Sequence, residues 1–230
     1  MSDDAQTYIQ ALALRLDPAW RRRVDEDRRD DGCRFIEAVT GAEMAGVRTI
    51  TYSSIGLEPG VDLLLWRMAP SVDALEATAS GLFRAGLGRW LEVSHSFLGR
   101  IGPSQYVRRP TEQEQSLFSG ERSRYLIVYP FTKSTEWYLL SKEARQGVMN
   151  EHMRVGHEYP TIRQALAYSF GLDSQDFVVA YETDDLVAFG DLVRGLRATE
   201  SRRSTVNDDS PILLGVHRPL DEILGLLGAA

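Results

Sequence analysis

The chain has 230 residues, of which 43% are hydrophobic and 26% are charged, and these proportions are typical of a globular protein with its own core. The net charge of −7 and the pI near 5.2 argue against nucleic acid or an anionic membrane surface as a partner, because both bind basic surfaces. The single cysteine, Cys33, excludes an internal disulfide and any site built from several thiolates, so a metal must be held by histidine or oxygen or arrive inside a cofactor.

The first residues, MSDDAQTY, lack the basic and apolar regions of a secretory signal, and no stretch approaches the roughly 20 apolar residues of a membrane span. The sequence therefore predicts a cytoplasmic protein without a membrane span. The arginines at 21–29 are interleaved with acidic residues at 25–30, which is typical of a solvated helix face.

A duplication organises the chain. The segment YSSIGLEPGVDLLLW, from Tyr52, is similar to YSFGLDSQDFVVAY, from Tyr168, about half the chain length later. With one-residue gaps, the matched pairs are Gly56 with Gly171, Leu57 with Leu172, Glu58 with Asp173, Asp62 with Asp176, and Trp66 with Tyr181.

Each copy is predicted to be a strand, a turn and a second strand, with similar elements on both sides. A strand precedes each copy, CRFIEAV near residue 33 and RYLIVYPF at 124–131. An amphipathic helix follows each copy, PSVDALEATASGLFRAGLGRW and TDDLVAFGDLVRGLRATESRR, the second capped by Thr183 or Asp184. A further strand follows each helix, at 91–101 and at 211–217.

The predicted order in each half is strand, helix, strand, turn, strand, helix, strand, which is ferredoxin-like and predicts an antiparallel sheet with helices on one face. We therefore predict an α+β fold in which two ferredoxin-like repeats, with antiparallel sheets covered by helices, form an α+β barrel. The repeats are assigned to residues 1–110 and 111–230, and the polar segment at 108–123 is the predicted linker.

The stretch MNEHMRVGHEYP, residues 149–160, contains two of the four histidines. A helix is predicted from the N-cap Ser141 to a terminating Gly156. The predicted apolar stripe of this helix contains Val148, Met149, His152 and Val155, so His152 faces the packing side and His157 lies near the surface. No partners are recognised for His95 and His217, which we interpret as structural or exposed.

Two interpretations of His152 remain open from these residues alone. It is either a core histidine with a satisfied ring nitrogen or the single protein ligand of a haem, since a porphyrin supplies the other four iron bonds. A zinc or non-haem iron site is disfavoured, because no second histidine or carboxylate shares the stripe.

Several ordered blocks resemble the chlorite dismutase and coproheme decarboxylase family of haem proteins. They are TYSSIGLEPGVDLLLWRM, FLGRIGPSQY, RYLIVYPFTKSTEWYLLSKEARQGVMNEHM, EYPTIRQALAYSFGLDSQDFVVAYETDDL and LRATESRR. The resemblance implies protomers assembled in a ring, usually a pentamer, with haem bound only in the C-terminal repeat. It also implies that His152, on the helix after a strand EWYLL, binds the iron, and that a glutamate from the last helix partners this histidine. Glu200 is the nearest candidate, although a gapless alignment places Ser201 there.

The family contains chlorite dismutases, which carry an arginine above the haem, and coproheme decarboxylases, many of which have glutamine there. The resemblance places Gln164 at this position, seven residues before the glycine of GLD. Arg163 is one position away, and adjacent residues on a strand face opposite sides, so we expect it not to reach the iron. The stretch YPFTK resembles a Tyr-Pro-Met-x-Lys motif of the decarboxylases, with Phe131 in place of methionine. It implies that Tyr129 forms a radical and that Lys133 lies beside the reacting propionate.

The resemblance also implies roles at the haem for three further residues. Arg197 matches a propionate-contacting arginine, Trp137 matches an aromatic residue near the haem, and Met149 is expected to pack beside His152. A surface arginine and a core tryptophan are the alternative interpretations of the first two.

The predicted function is peroxide-dependent oxidative decarboxylation of iron coproporphyrin III (coproheme) to haem b. Coproheme and hydrogen peroxide are the predicted small-molecule partners, and a homopentamer is the predicted assembly. One alternative is a chlorite dismutase, which the blocks YETDDLVAF and SPILLGVHRPLDEILGLLG favour. The other is a haem-binding protein without either activity.

Overall fold

The computed structural model describes residues 7–106, 120–207 and 210–229. The chain divides into two compact units, residues 1–101 together with 214–230, and residues 102–213. Most of the predicted linker, residues 108–119, lies outside the described residues. The predicted division into 1–110 and 111–230 was based on the internal repeat, and it remains a prediction.

The regular elements of the described residues alternate between strands and helices. In chain order they are β1 (Tyr8–Leu16), α1 (Asp25–Met44), β2 (Arg48–Glu58), β3 (Val61–Ala69), α2 (Val72–Arg84), β4 (Leu91–Arg100), β5 (Tyr125–Lys133), α3 (Thr135–Leu139), α4 (Lys142–His157), β6 (Arg163–Tyr168), β7 (Phe177–Thr183), α5 (Leu186–Arg197), β8 (Thr205–Asn207), β9 (Leu213–His217) and α6 (Leu220–Leu227). Short 3-10 helices occur at Pro18–Arg22, Gly86–Trp90 and Glu200–Ser204.

In the first unit, β1, α1, β2, β3, α2 and β4 follow the ferredoxin-like order. Its antiparallel sheet has the order β4-β1-β3-β2-β9. The apolar core of this unit lies where the leucines of β1 and β3 meet α1, α2 and α6. Its buried members include Leu12, Leu14, Phe35, Val39, Leu63, Leu65, Leu82, Ile223 and Leu224.

The segment CRFIEAV is helical, so the predicted strand near residue 33 is wrong. It lies within α1, where Phe35, Val39 and Ala42 are buried at intervals of four and three residues. That spacing places them on one face of a helix, and a short apolar run does not by itself distinguish a helix from a strand. The first strand of the unit is instead β1, which precedes α1.

In the second unit, the antiparallel strand order is β6-β7-β5-β8. The segment EWYLL was predicted to be a strand and forms the short helix α3. Helix α4 begins after Ser141, whose side chain accepts a hydrogen bond from the Ala144 amide at 3.2 Å, so the predicted N-cap is confirmed. The helix continues through Gly156 to His157, and the predicted end at Gly156 is wrong.

The duplication is visible in the backbone. Gly56 at the end of the β2 copy and Gly171 after β6 have positive φ angles of 71° and 70°. Both glycines have a left-handed backbone conformation that favours glycine, Gly56 in the irregular last part of β2 and Gly171 in a turn. The predicted α+β class, with antiparallel strands and helices, is confirmed. Within the described residues, we find no helix with the length and apolar character that a bilayer crossing demands.

We expect Gly86→Ala to destabilise the first unit. Gly86 has a φ of 44°, and a Cβ atom there would lie 2.1 Å from the Asp31 carbonyl oxygen. Both the backbone conformation and the steric overlap oppose a side chain, so the free energy of unfolding should fall by about 2–4 kcal/mol. Urea denaturation followed by circular dichroism measures this change.

Gly81→Ala is the matched control. Gly81 lies inside α2, and a Cβ atom there would meet no heavy atom within 4 Å. Alanine is favoured over glycine in a helix, so this variant should be as stable as the parent or up to about 1 kcal/mol more stable. Equal destabilisation by both substitutions would contradict the steric explanation.

Candidate functional site

His152 lies in the middle of α4, and its imidazole is linked to the segment that follows α5. The Nδ1 atom of His152 is 3.0 Å from the hydroxyl oxygen of Ser201. The Ser201 hydroxyl is in turn 3.1 Å from that of Thr199, and both of these residues are buried. Two segments 49 residues apart are therefore joined by this contact.

The hydrogen bonds around Ser201 determine the tautomer of the imidazole. Thr199 donates its hydroxyl hydrogen to the Leu196 carbonyl at 2.7 Å, so its oxygen can only accept from Ser201. Ser201 has then used its own hydrogen, and its oxygen accepts from His152. Nδ1 therefore carries the hydrogen, and the lone pair on Nε2 is the one available to a metal.

The imidazole is held in its neutral form. Burial is the main reason that the pKa of His152 is lowered to about 4; the nearby Lys133 ammonium contributes to this lowering, and Glu151 acts in the opposite direction. A neutral imidazole is the form that binds iron.

Lys133 contributes its charge to the same group of residues. Its ammonium donates to the Thr205 hydroxyl at 2.9 Å and to the Ser201 carbonyl at 3.2 Å, and it lies 4.7 Å from the ring centroid of Trp137. Trp137 is buried, and Tyr106 packs edge-on against it. We name His152, Lys133, Thr199, Ser201 and Thr205 the histidine cluster.

The structure places Glu200 outside the histidine cluster. Its carboxylate is 3.5 Å from Arg203, its amide donates to Glu151, and its side chain is exposed. The neighbouring Ser201 makes the Nδ1 contact that we predicted for Glu200. The 3-10 helix turns Ser201 inward and Glu200 outward, so the partner of the imidazole is a neutral hydroxyl and not a carboxylate.

A second group of predicted residues shares one face of the second-unit sheet. In register, Gln164 of β6 is opposite Tyr181 of β7, which is opposite Ile127 of β5. Tyr129 lies two residues further along β5 on the same face. Its ring stacks near that of Tyr181, with centroids 6.0 Å apart. We name this side of the sheet the tyrosine face.

Helix α5 lies over the tyrosine face, and α4 packs beside α5. The ring of Phe189 in α5 is 5.2 Å from that of Tyr181. In α4, a Val155 methyl group is 3.1 Å from the position a Cβ atom would take at Gly195 of α5. The helix that carries His152 therefore adjoins the helix that covers Tyr181.

Arg163 points to the opposite face of the sheet. Its guanidinium is 3.0 Å from a carboxylate oxygen of the fully buried Glu182 and donates to Ser123 Oγ and to the Glu121 carbonyl. Arg122 lies 3.3 Å from the other Glu182 oxygen. A buried carboxylate between two cations holds Arg163 strongly, since a lone buried charge is costly.

The remaining predicted residues lie around these two groups. Met149 is half-buried on α4, one turn before His152. Arg197 is exposed at the end of α5, and Phe131 stacks on Phe177 with ring centroids 4.6 Å apart. His157 is exposed, as predicted.

The residues present suit a haem. His152 offers Nε2 as a lone-pair nitrogen, and among the described residues no group of three or more histidine, cysteine or acidic side chains could hold a bare metal ion. The whole of α4 is described and none of its residues is fully buried, although Val148, Met149 and Val155 are apolar. Leu166, on the tyrosine face, is 39% exposed. One imidazole beside incompletely covered apolar surface is what a porphyrin requires.

Sequence reasoning missed three residues of this arrangement. Thr199 and Thr205 complete the histidine cluster, and Tyr181 completes the tyrosine face. The sequence identifies Tyr181 only as the repeat partner of Trp66. The strand alternation around Gln164 and Tyr129 contained the signal, but only the register of β5, β6 and β7 brings the three residues together.

Comparison with known proteins agrees with these features. Residues 28–218 match the family model described as chlorite dismutase, and the chain belongs to this family. Its members bind haem and are haem-dependent oxidoreductases. The chain is 31% identical over 185 residues to the coproheme decarboxylase of Mycolicibacterium smegmatis, an alignment that covers 76% of this chain and 75% of that protein.

Two chlorite dismutases are also similar to this chain. The enzyme of Ideonella dechloratans is 24% identical over 183 residues, which cover 76% of this chain and 64% of that protein. A mutant chlorite dismutase from Candidatus Nitrospira defluvii superposes with a TM-score of 0.89 at 29% identity, over 98% of this chain and 96% of the other.

We expect the stability of the haem-free protein to depend on the protonation of His152. An unfolded histidine titrates near 6.5, whereas the folded pKa is about 4, so the unfolded chain binds more protons between these values. The contribution of the neutral imidazole is complete above pH 6.5 and is lost as the pH falls towards 4, by up to roughly 3 kcal/mol. Urea denaturation at a series of pH values measures it.

His152→Gln should remove this component of the pH dependence. His157→Gln is the matched control, since His157 is exposed on the same helix, and it should retain the dependence of the parent. A parent and a His152→Gln variant with identical pH profiles would show that the imidazole is not held neutral.

Proposed function

We propose that this protein is a coproheme decarboxylase, which uses hydrogen peroxide to convert two propionates of iron coproporphyrin III to the vinyl groups of haem b. The observation that carries the proposal is the composition of the tyrosine face, where Gln164 and Tyr129 lie together while the adjacent guanidinium of Arg163 is held on the other side by Glu182. The relative from Mycolicibacterium smegmatis gives independent support.

Arginine and glutamine at the position of Gln164 suit different substrates. A guanidinium above the iron retains an anionic oxychlorine species by charge. The Gln164 amide has no charge and leaves space for a porphyrin substrate whose reacting groups are at its edge. The ion pair of Arg163 with Glu182 keeps the nearest cation of the strand away from the tyrosine face.

His152 and Tyr129 carry the principal roles in this proposal. His152 binds the iron through Nε2, and Ser201 orients the ring. When bound, the iron porphyrin supplies the oxidising power of the reaction with peroxide. Tyr129, oxidised to its radical, would take a hydrogen atom from the β-carbon of a propionate. The second electron would pass to the peroxide-oxidised porphyrin, and loss of carbon dioxide would leave the vinyl group.

Lys133 and Tyr129 are four residues apart on β5, so their Cα atoms are separated by roughly 13 Å. A substrate that contacts both Lys133 and Tyr129 must therefore be large. The Lys133 ammonium donates to Thr205 and Ser201, which places its charge beside His152. We propose that Lys133 and Arg197 bind propionates. Lys133 has a second proposed role, because its charge lowers the pKa of His152.

Tyr129→Phe should abolish decarboxylation and leave coproheme binding intact, because phenylalanine preserves the ring and removes the hydroxyl hydrogen. Coproheme and peroxide are added to the purified protein, and mass spectrometry follows the stepwise loss of two carboxyl groups. Tyr125→Phe, on the same strand and the same face, is the matched control and should retain turnover. Full turnover by Tyr129→Phe would remove the radical role.

His152→Ala should abolish the absorption spectrum of histidine-ligated five-coordinate haem. The same titration with His157→Ala should reproduce the parent spectrum, because His157 is exposed beyond the turn that carries His152. An unaltered spectrum in His152→Ala would assign the iron to another ligand, and His157 would be examined first.

Chlorite dismutase is the second candidate function, and the close superposition on the enzyme from Candidatus Nitrospira defluvii favours it. Haem-loaded protein with chlorite in an oxygen electrode distinguishes the two activities. Oxygen evolution without loss of carboxyl groups from coproheme would overturn the decarboxylase proposal. Bound haem with neither activity would support a haem-binding protein.

We further propose a homopentamer in the cytoplasm, on the basis of the resemblance to the family. Sedimentation equilibrium at several protein concentrations tests the assembly. A monomer across the concentration range would contradict it.

A further inference from the structure

Tyr181 occupies the centre of the tyrosine face, between Gln164 and Tyr129, the two residues of this face that have roles in the proposed function. It is directly opposite Gln164 on β6, and Tyr129 is a diagonal neighbour on β5. Neither the family resemblance nor the proposed mechanism gives Tyr181 a role. Tyr181 lies on the middle strand of the three and is a neighbour of both Gln164 and Tyr129.

The Tyr181 ring is buried, and its hydroxyl group is a neighbour of Tyr129. The residue is 5% exposed, and Phe189 of α5 covers it. The Tyr129 ring lies 6.0 Å away and is inclined by only 27°, so the two phenols are nearly parallel. Burial raises the pKa of Tyr181, and hydrogen bonding with Tyr129 opposes the rise.

We propose that Tyr181 is a relay residue that exchanges a hydrogen atom with Tyr129. This inference deepens the proposed function, since it depends on Tyr129 becoming a radical. In the exchange, the Tyr129 phenoxyl radical takes one proton and one electron from the Tyr181 hydroxyl. The O–H bond of Tyr181 breaks, an O–H bond forms on Tyr129, and the radical is then on Tyr181.

The environment of Tyr181 suits this exchange. A buried phenol cannot lose its proton to solvent on oxidation, and an isolated buried charge is costly, so the proton and the electron must leave together. The Tyr129 oxygen is a neighbouring acceptor for both. When a propionate is in place, the reverse exchange returns the radical to Tyr129.

The other aromatic residues nearby are less suitable. Phe131 and Phe177 have no exchangeable hydrogen. Tyr125 shares the strand of Tyr129, but the Arg124 guanidinium lies 5.3 Å from its ring centroid, and this cation disfavours oxidation of the ring. Tyr125 is therefore the control position for the experiments below.

The first experiment uses the haem-free protein with 3-fluorotyrosine placed at position 181. Tyr129→Phe removes the hydroxyl partner, so the fluorine NMR signal should shift, whereas Tyr125→Phe should leave it in place. An unchanged signal in Tyr129→Phe would show that the two phenols do not interact and would overturn the relay. This result is independent of any enzymatic activity.

The second experiment locates the radical in protein loaded with haem b, the product of the proposed reaction. Peroxide is added, the sample is frozen within milliseconds, and the radical is recorded by electron paramagnetic resonance. Fluorotyrosine at position 181 should add a fluorine hyperfine splitting to part of the signal. Fluorotyrosine at position 125 should not.

Tyr129→Phe should eliminate the fluorine splitting from position 181, because oxidation of Tyr181 proceeds through Tyr129. A signal without this splitting in the parent, or a splitting that persists in Tyr129→Phe, would overturn the relay. Protein that fails to decarboxylate coproheme but shows both fluorine effects would refute the proposed function and leave the tyrosine pair established. The two conclusions can therefore fail separately.

Discussion

The hydrogen bond between the His152 Nδ1 atom and the Ser201 hydroxyl is the constraint on which the candidate site depends. Because Thr199 donates to the Leu196 carbonyl, the direction of each hydrogen bond in the chain is determined, and Nε2 is left with its lone pair. A hydroxyl oxygen accepts a weaker hydrogen bond from Nδ1 than a carboxylate does. The ring is therefore oriented without becoming strongly electron-donating, and the adjacent Lys133 ammonium favours the same weakly donating state.

The tyrosine face depends on a second constraint, the alternation of side chains along β6. Gln164 and Arg163 are neighbours in sequence, yet they reach different faces and different chemical environments. Glu182, enclosed between Arg163 and Arg122, makes a change of register costly, since a slip of one residue would leave that carboxylate uncompensated. The buried ion pairs thus help determine that a neutral amide, and not a guanidinium, shares the face of Tyr129.

Cap and turn residues in the sequence predicted some element ends and not others: α4 ends at His157 rather than at Gly156, and α5 is capped by Asp185 rather than by Thr183 or Asp184. Ser141 identified the start of α4, and the repeat of Gly56 at Gly171 identified two positions with the same left-handed backbone conformation. Periodicity failed where apolar residues were few and closely spaced. The run from Cys33 to Val39 is compatible with either period, and the packing of α1 on the sheet, through Phe35 and Val39, decided for a helix.

The sequence alone determined the α+β class, the duplication and the family, and it predicted His152 as the candidate iron ligand, because these follow from local patterns and ordered motifs. Tertiary structure decided which groups meet. Ser201, rather than Glu200, reaches His152 across 49 residues, and Tyr181 joins Tyr129 only through strand pairing. Residues 214–230 belong with the first unit, where β9 pairs with β2. Such contacts depend on the register and rotation of elements distant in the chain, and a single sequence read by local patterns contains no measure of either.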